Sequence, residues 1–259
     1  MNQLSRPALE RWRLVALLGP AALAAVVGFW SITVPSLWRD ESVTVYFTDS
    51  SLGDALRDWG DQDAVHALYY LIARATAWIG PIEVGVRLPS VVAFALTALG
   101  IVLLGRRLSG QVAGTCAGVV YALIPVGSRY AQEARPYALV SAAAVFSTLA
   151  LLRLSERLTK ERFASYVLIT TVLGYLNIYA LLLLLAHGTY VLWEARAALR
   201  RVVPAWACSL VLLLPMILIG SSQSGQIGWI AKPGWEACCS SSSSTAQHVA
   251  STRCWWWLA

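Results

Sequence analysis

The residues best placed to do chemistry in this chain are charged groups beside apolar runs. The first of them lie directly after the first long apolar run, in the segment Leu37-Trp38-Arg39-Asp40-Glu41-Ser42. A charged side chain inside or against a bilayer costs at least roughly 2.5 to 3.5 kcal/mol, so acids gathered beside a membrane span need an explanation. For Asp40 one alternative is a solvated acid at a helix start, where the helix dipole favours negative charge.

Other polar residues are predicted to lie at the same depth. His66 opens a short apolar segment, Arg87 opens the second long apolar run, and Gln132, Glu133 and Arg135 lie between two later runs. A site between the membrane and the outer water requires such groups on one side of the bilayer. The sequence therefore predicts that these residues and the acidic pair form one outward-facing site.

The composition determines what must position these residues. Hydrophobic residues make up 58% of the 259-residue chain and charged residues only 13%, which is typical of an integral membrane protein. The net charge of +6 is carried by short clusters between apolar runs, so the expected partner is the lipid bilayer and not a nucleic acid. The five cysteines lack a metal-ligand spacing, and neither a disulfide nor a zinc site is expected.

The apolar runs predict an all-α, polytopic bundle of about seven membrane spans. Basic clusters after the runs mark the cytoplasmic side, which also places the amino terminus inside and the predicted polar site outside. The segment 65–80 either crosses the membrane or lies at its surface; the surface or re-entrant interpretation is preferred, because a crossing would put Arg106 and Arg107 outside. The spans are predicted at 14–34, 88–104, 112–126, 138–152, 163–176, 178–193 and 202–220.

Residues 1–237 are predicted to form one transmembrane domain, in which 35–86 is the first outer loop. Leu52, Ala55, Leu56 and Trp59 recur there at helical spacing, which indicates an amphipathic helix lying along the membrane interface with Trp59 at headgroup level. The basic start and the first apolar run favour an uncleaved anchor over a signal peptide, whose apolar region is shorter.

Residues 238–259 differ from the rest of the chain, with a serine run, three of the five cysteines and three consecutive tryptophans. We expect a changed reading frame or a truncated natural chain there, leaving the amino-terminal part of something longer. The alternative is a flexible serine-rich tail with a tryptophan anchor.

Four motifs resemble one family when they are taken together. They are Trp38-Arg39-Asp40-Glu41, His66-Ala67-Leu68-Tyr69-Tyr70, Gly85-Val86-Arg87-Leu88-Pro89-Ser90 and Tyr130-Ala131-Gln132-Glu133-Ala134-Arg135-Pro136-Tyr137. Their order and spacing are similar to those of polyprenyl-phosphate-sugar-dependent membrane glycosyltransferases of the GT-C type, the family 39-like enzymes that include protein O-mannosyltransferases and aminoarabinose transferases. The resemblance covers about residues 14–235, although this chain has Ala67 where many relatives have proline after the histidine.

The resemblance implies a hexose transferase, with mannose as the first candidate sugar. It maps the catalytic residues to Asp40 and Glu41, with Asp40 as the general base that deprotonates an acceptor hydroxyl. Arg135 or Arg87 would pair with the phosphate of a polyprenyl-phosphate sugar donor. The full set of implied substrate-binding residues is His66, Tyr69, Arg87, Gln132, Glu133, Arg135 and Tyr137.

Several alternatives stay open at this stage. Glu133 can instead form an internal ion pair with Arg135 or Arg129, and Tyr69 and Tyr70 can be interfacial anchors. No cofactor is certain, and a divalent metal held by Asp40, Glu41 and His66 is an open option.

The resemblance leaves the acceptor open as a protein, a lipid or a glycan. Abundant arginine with little lysine favours a bacterial inner membrane, and thus the plasma membrane, as the location. A non-catalytic membrane scaffold or an inactive fragment is one rival interpretation. A transporter is another, but the acids lie at the ends of the spans and not at the bilayer midplane where a transporter needs them.

Overall fold

The computed structural model describes residues 6–61 and 63–223 of the chain. Within them the chain is helical, with short 3-10 helices at Ala64–His66, Ile178–Leu182 and Arg196–Ala198 and no strand. The α-helices are α1 (Arg6–Phe29), α2 (Arg39–Asp49), α3 (Leu52–Asp61), α4 (Ala67–Thr76), α5 (Ile82–Ser109), α6 (Gln111–Leu123), α7 (Pro125–Ala131), α8 (Tyr137–Glu156), α9 (Lys160–Leu176), α10 (Leu183–Glu194) and α11 (Leu199–Ser222). The all-α prediction is confirmed.

Four helical stretches of this part of the chain are long and apolar enough to cross a membrane: Glu10–Phe29, Ile82–Ser109, Tyr137–Glu156 and Arg196–Ser222. A fifth span results if α6 and α7, which meet at a bend of 65°, are counted together. Helix α9 has only 17 residues, and Ile178–Glu194 is also a shorter apolar segment. The count of seven spans therefore stays a prediction.

Part of the polar stretch between the third and fourth predicted spans is helical. Helix α7 extends to Ala131, so that irregular chain begins at Gln132. The bend comes from proline chemistry: Pro125 disfavours a helical conformation of the residue before it, and Ile124 is extended (φ −70°, ψ 122°). Pro125 then starts the new helix, where its missing N–H has no partner to lose.

Helix α5 lies at the centre of the bundle and packs against α1, α4, α6 and α8. Its approach to α6 depends on two glycines. A Cβ atom on Gly105 would lie 2.6 Å from the Cα of Gly114, and one on Gly114 would lie 2.5 Å from the carbonyl oxygen of Val102. Small residues allow membrane helices to approach this closely, so any larger side chain at these positions would separate the pair.

The beginning of α5 is adapted to the end of α4. Pro89 has no N–H and leaves the carbonyl of Gly85 without its helical partner; the hydroxyl of Thr76 donates to that carbonyl instead, at 2.8 Å. A Cβ on Gly85 would lie 2.6 Å from the carbonyl oxygen of Ala77. The Gly85-to-Pro89 motif thus joins the two helices closely.

Three basic segments of the chain lie at one end of the bundle. Arg107 on α5 and Arg162 on α9 both contact the carboxylate of Glu156 on α8, and Arg201 on α11 donates to the carbonyl of Ser155 at 3.0 Å. We call this the basic end. The three clusters that the positive-inside rule placed on one side of the membrane therefore do come together.

A chain of neutral hydrogen bonds links α8, α9, α10 and α11 inside the bundle. The indole N–H of Trp206 donates to the Tyr166 hydroxyl (2.7 Å), which lies 3.0 Å from Nδ1 of His187. Nε2 of His187 lies 3.2 Å from Thr148 Oγ1, and that hydroxyl donates to the carbonyl of Ala144. We call Thr148, Tyr166, His187 and Trp206 the buried network. Every polar atom in it has a partner, as membrane burial demands.

Helices α2, α3 and α4 lie over the other end of α5. Their shared core consists of Phe47, Ala55, Tyr69, Tyr70, Ala73, Val86 and Ala134. Helix α3 buries Ala55 but leaves Leu52 and Leu56 about half exposed, which is the uncovered apolar face that an interfacial helix would present to lipid. Helix α4 has ten residues, about 15 Å of rise, so it is too short to cross a bilayer.

Two parts of the sequence analysis fall outside what the structure describes. One is the side chain of Trp59, which was predicted to lie at headgroup level. The other is the chain from residue 224 onward, which includes the atypical segment 238–259 and three of the cysteines.

Candidate functional site

A buried ion pair between Glu41 and Arg87 fixes helix α2 to the start of α5. The two side chains are 1% and 0% exposed. Nε and Nη2 of Arg87 donate to the two carboxylate oxygens of Glu41, each at 2.8 Å. The two parallel hydrogen bonds form the bidentate geometry that arginine and a carboxylate prefer.

The rest of the Arg87 guanidinium is also fully used. Nη1 donates to the carbonyls of Ile32 (2.6 Å) and Pro35 (2.9 Å), and Nη2 makes a longer contact of 3.5 Å with the carbonyl of Ser36. All five N–H groups of this arginine therefore have acceptors in the protein. Glu41 and Arg87 together join the chain after α1 to the start of α5.

The same carboxylate positions the loop between α7 and α8. Oε1 of Glu41 accepts the backbone N–H of Ala134 at 2.8 Å, and the Thr44 hydroxyl, one helical turn later, donates to the Ala134 carbonyl at 2.9 Å. On the other side, the hydroxyl of Ser90 contacts the carbonyls of Glu133 (2.8 Å) and Arg135 (3.3 Å). Residues 133–135 are thus held by hydrogen bonds to their backbone. The side chains of Glu133 and Arg135 are not needed for this and can contact other groups.

Asp40 differs from its neighbour Glu41 in its exposure and in its arginine partner. Its side chain is 42% exposed, and its carboxylate oxygen Oδ2 lies 3.9 Å from Nη2 of Arg135. It lies in the first turn of α2, where the helix dipole stabilises a negative charge. Of the two adjacent acids, Asp40 is therefore the one that can reach a molecule from outside.

Arg135 connects Asp40 to residues of the α4 region. Its Nη1 donates to the hydroxyl of Tyr70 (3.3 Å), and its Nη2 lies 3.3 Å from Nε2 of His66. Nδ1 of the same imidazole lies 2.6 Å from Oδ1 of Asp63. When His66 carries its proton on Nδ1, it donates to Asp63 and accepts from Arg135 through Nε2. Arg135 is 7% exposed, yet its Nε has no partner among the described residues.

Asp63 lies behind this cluster and accepts hydrogen bonds from both His66 and Tyr70. Burial alone would raise the pKa of Asp63, but the hydrogen bonds from His66 and Tyr70 and the charge of Arg135 outweigh it and lower the pKa. Burial and the charge of Asp63 raise the pKa of the Tyr70 hydroxyl well above its usual range. Tyr70 is therefore a hydrogen-bond donor in this cluster and not an acid.

Glu133 lies beside a cleft of about 410 Å³ next to the cluster. Burial, followed by the negative charge of Glu41, raises the pKa of Glu133, since its side chain is only 8% exposed. Arg129 is exposed and also lines the cleft. The cleft is lined by Pro35, Trp38, Pro125, Ser128, Arg129, Gln132 and Glu133.

The predicted site residues fall into three groups. Asp40, His66, Glu133 and Arg135 lie together, and Gln132 borders the cleft while its amide donates to the carbonyl of Trp30 at 2.6 Å. Glu41, Tyr69 and Arg87 are buried in internal hydrogen bonds, those of the Tyr69 hydroxyl being to Val86 and Ser90. Tyr137 starts α8 and packs its ring 5.0 Å from that of Tyr130.

The sequence analysis did not single out Asp63, and it named Arg129 only as an alternative partner of Glu133. Asp63 lies three residues before His66, a spacing that brings side chains together at a helix start, so this signal was available. A divalent metal on Asp40, Glu41 and His66 was left as an open option, and the described residues contain no set of three or more His, Cys, Asp or Glu arranged for a metal ion.

The bundle and the cluster define the class: a polytopic helical membrane protein with a carboxylate and arginine site at one end of its spans. The chain matches the dolichyl-phosphate-mannose-protein mannosyltransferase family over residues 66–219, about three-fifths of its 259 residues. It belongs to this family, which confirms the resemblance to GT-C-type membrane glycosyltransferases. No match was found among curated proteins or solved structures. The matched range begins at His66, so Asp40 and Glu41 lie before it.

Proposed function

We propose that this protein transfers a hexose, with mannose the first candidate, from a polyprenyl-phosphate sugar to an acceptor hydroxyl on the outer face of the membrane. The observation that carries the proposal is the contrast between two adjacent acids. Glu41 is buried and neutralised by Arg87, whereas Asp40 is 42% exposed and 3.9 Å from Arg135. The acceptor is a protein, a lipid or a glycan, and the membrane is the plasma membrane with the amino terminus inside.

In the proposed reaction Asp40 is the general base. It takes the proton of the acceptor hydroxyl while that oxygen forms a bond to the anomeric carbon of the sugar. The bond between the anomeric carbon and the phosphate oxygen breaks, and the lipid phosphate leaves with the electron pair. The anomeric configuration inverts, and Asp40 afterwards releases the proton to water.

The leaving phosphate needs a cation, and the candidate arginines differ in their hydrogen bonds. Arg87 has no N–H to offer, because Glu41 and three backbone carbonyls use all five. The Arg135 guanidinium lies 3.9 Å from the exposed Asp40 and has a buried Nε without a partner within the described chain, and Arg129 is exposed at the cleft. We therefore assign phosphate binding to Arg135 and Arg129 in place of Arg87.

Glu41 and Arg87 become positioning residues in this proposal. Glu41 holds α2, and with it Asp40, against the loop that carries Arg135. Glu133, whose pKa is raised, can donate a hydrogen bond to a sugar hydroxyl when it is protonated. His66 fixes the orientation of the Arg135 guanidinium.

The donor's hydrocarbon chain also has a suitable surface. A groove of about 740 Å³ lies between α1 and α5 and is lined almost entirely by apolar side chains, ending at Trp30 and Ser31. The amide of Gln132, which borders the polar cleft, donates to the carbonyl of Trp30. An apolar groove that ends beside a cleft containing Arg129 fits a molecule with a polyprenyl tail and a phosphate head.

The test is transfer of labelled sugar in membranes that hold the full chain, with polyprenyl-phosphate mannose and, in parallel, the glucose and arabinose donors. Asp40→Asn keeps the size and polarity of the side chain but removes the base, and we expect a loss of about 100- to 10,000-fold in rate. The matched control is Asp49→Asn, which changes an exposed acid at the other end of the same helix and should leave the rate unchanged.

Equal rates for the wild type and Asp40→Asn would contradict the assignment of the base. The chain would instead be a membrane scaffold if neither the wild type nor Asp40→Asn transfers sugar and both bind the donor and the acceptor equally well.

A further inference from the structure

A second cleft lies at the basic end, away from the candidate active site. Its volume is about 430 Å³, and it opens between α5, α8 and α9. Arg107, near this cleft, and Arg87, in the ion pair with Glu41, are 20 residues apart on α5. That separation corresponds to about 30 Å along a helix, which is the thickness of the hydrocarbon core.

The walls of this cleft are amphipathic. Apolar side chains from all three helices form its floor: Leu103, Phe146, Leu149, Ala150 and Ile169. Its polar lining consists of Arg153, Arg162, Glu161 and Ser165. A free inorganic anion would gain nothing from the apolar floor, whereas a molecule with both a charged head and an acyl chain would contact both parts.

The charge around the cleft favours an anion. Six basic residues against two acidic ones, Glu156 and Glu161, lie at these ends of α5, α8 and α9: Arg106, Arg107, Arg153, Arg157, Lys160 and Arg162. Glu156 is already engaged by Arg107 and Arg162. The excess at these helix ends is therefore positive, and the charged residues that line the cleft itself are two arginines and Glu161.

Arg153 has an unused charge. Its backbone carbonyl accepts from Arg162 at 2.6 Å, but its guanidinium is exposed and makes no hydrogen bond or ion pair within the part of the chain that the structure describes. Arg162 uses Nη1 for that carbonyl and for Glu156, and its remaining N–H groups are not engaged by described residues. Two arginines thus present free donors at the edge of an apolar cavity.

We infer that this cleft binds one anionic phospholipid, with the headgroup phosphate on Arg153 and Arg162 and an acyl chain along Phe146 and Ile169. Basic pockets between membrane helices on the cytoplasmic side recognise such headgroups, and the basic end is the one that the positive-inside rule assigns to the cytoplasm. The site is independent of sugar transfer. The lipid would contact α5, α8 and α9 together at these ends.

Native mass spectrometry of the full chain in detergent tests this inference. Phosphatidylglycerol is titrated against the wild type, Arg153→Gln and Arg157→Gln, and phosphatidylcholine and glycerol phosphate serve as ligand controls. Arg157 is an equally exposed arginine at the end of α8 but does not line the cleft. Since a basic residue near a lipid surface contributes about 1 kcal/mol, we expect about fivefold weaker binding for Arg153→Gln only.

A second variant tests the cavity without changing its charge. Ser165→Trp would fill the cleft from its exposed rim and should abolish the tight binding of phosphatidylglycerol. The inference is overturned if phosphatidylcholine binds as tightly as phosphatidylglycerol, if glycerol phosphate competes equally, or if both arginine variants lose the same affinity. Because sugar transfer is not part of the readout, these results do not depend on the proposed function.

Discussion

Two polar regions of this protein solve the problem of burial in different ways. In the buried network between α8 and α11 the groups are neutral, and each polar atom has a partner. In the cluster around Arg135 the groups are charged and incompletely satisfied: Asp40 is 42% exposed and the buried Nε of Arg135 lacks a partner in the described chain. A saturated network holds helices together, and an unsaturated one is prepared to bind something else.

The Glu41–Arg87 pair combines features of both regions, because its groups are charged but all their hydrogen bonds are satisfied. Breaking this pair gives the largest expected effect. Arg87→Met leaves Glu41 buried without a counter-ion, which costs about 3 to 5 kcal/mol. The midpoint of thermal unfolding in detergent should fall sharply, and sugar transfer should be lost.

The double variant Glu41→Gln with Arg87→Met distinguishes a structural from a chemical role. If the pair only positions α2, removal of both charges should recover much of the lost stability. A double variant that is as unstable as the single one would show that the hydrogen bonds to Ala134 and to the backbone carbonyls matter more than the charges.

The buried network should respond more weakly and without any effect on chemistry. His187→Phe keeps a ring in place but removes the partner of Tyr166 and Thr148, which should cost about 1 to 2 kcal/mol. We expect a lower unfolding midpoint and an unchanged rate of transfer per folded molecule at low temperature. A rate that falls together with that of Asp40→Asn would contradict the separation of the two regions.

Glu133 provides a pH-dependent comparison. Its pKa is raised in the folded protein by burial and by the charge of Glu41, so its contribution to stability is fully present below about pH 4.3, the ordinary value, and is lost as the pH rises through the raised pKa. Glu133→Gln does not ionise and should gain stability relative to the wild type as the pH rises. Unfolding midpoints of both proteins from pH 4 to pH 8 check this, and a pH-independent difference would contradict it.

The smallest effect is expected for an exposed ion pair. Arg57 and Asp54 on α3 approach to 3.7 Å with side chains that are 79% and 62% exposed. Arg57→Gln should change the unfolding midpoint and the transfer rate by amounts close to experimental error, because exposed pairs contribute little. It provides the baseline against which the other variants are judged.

The sequence predicted those features that depend on local pattern. The spacing of Leu52, Ala55 and Leu56 indicated α3, and the outward placement of His66, Glu133 and Arg135 indicated residues that do come together. The motifs also predicted the family. These signals reflect periodicity, span ends and residue type, which are visible in a linear chain.

The roles of Glu41 and Arg87 were not visible in the same way. Which of two adjacent acids is neutralised depends on the direction of α2, and the acceptors of Arg87 include backbone carbonyls about fifty residues away. Every residue has a backbone carbonyl, so the sequence does not show which of them will accept a hydrogen bond from Arg87. By contrast, the bend before Pro125 and the contact of Asp63 with His66 had local signals that reasoning about spans did not use.

The contacts of Glu41 have a consequence for the order in which the protein is made. Its carboxylate binds Arg87 and the N–H of Ala134, so the acid must wait for 93 further residues before its last partner has been synthesised. At typical ribosomal speeds that interval is roughly 5 to 20 s. The acid lacks its counter-ion only for the first 46 of these residues, until Arg87 has been synthesised, and chaperones or quality-control proteases would encounter the nascent membrane protein in that state.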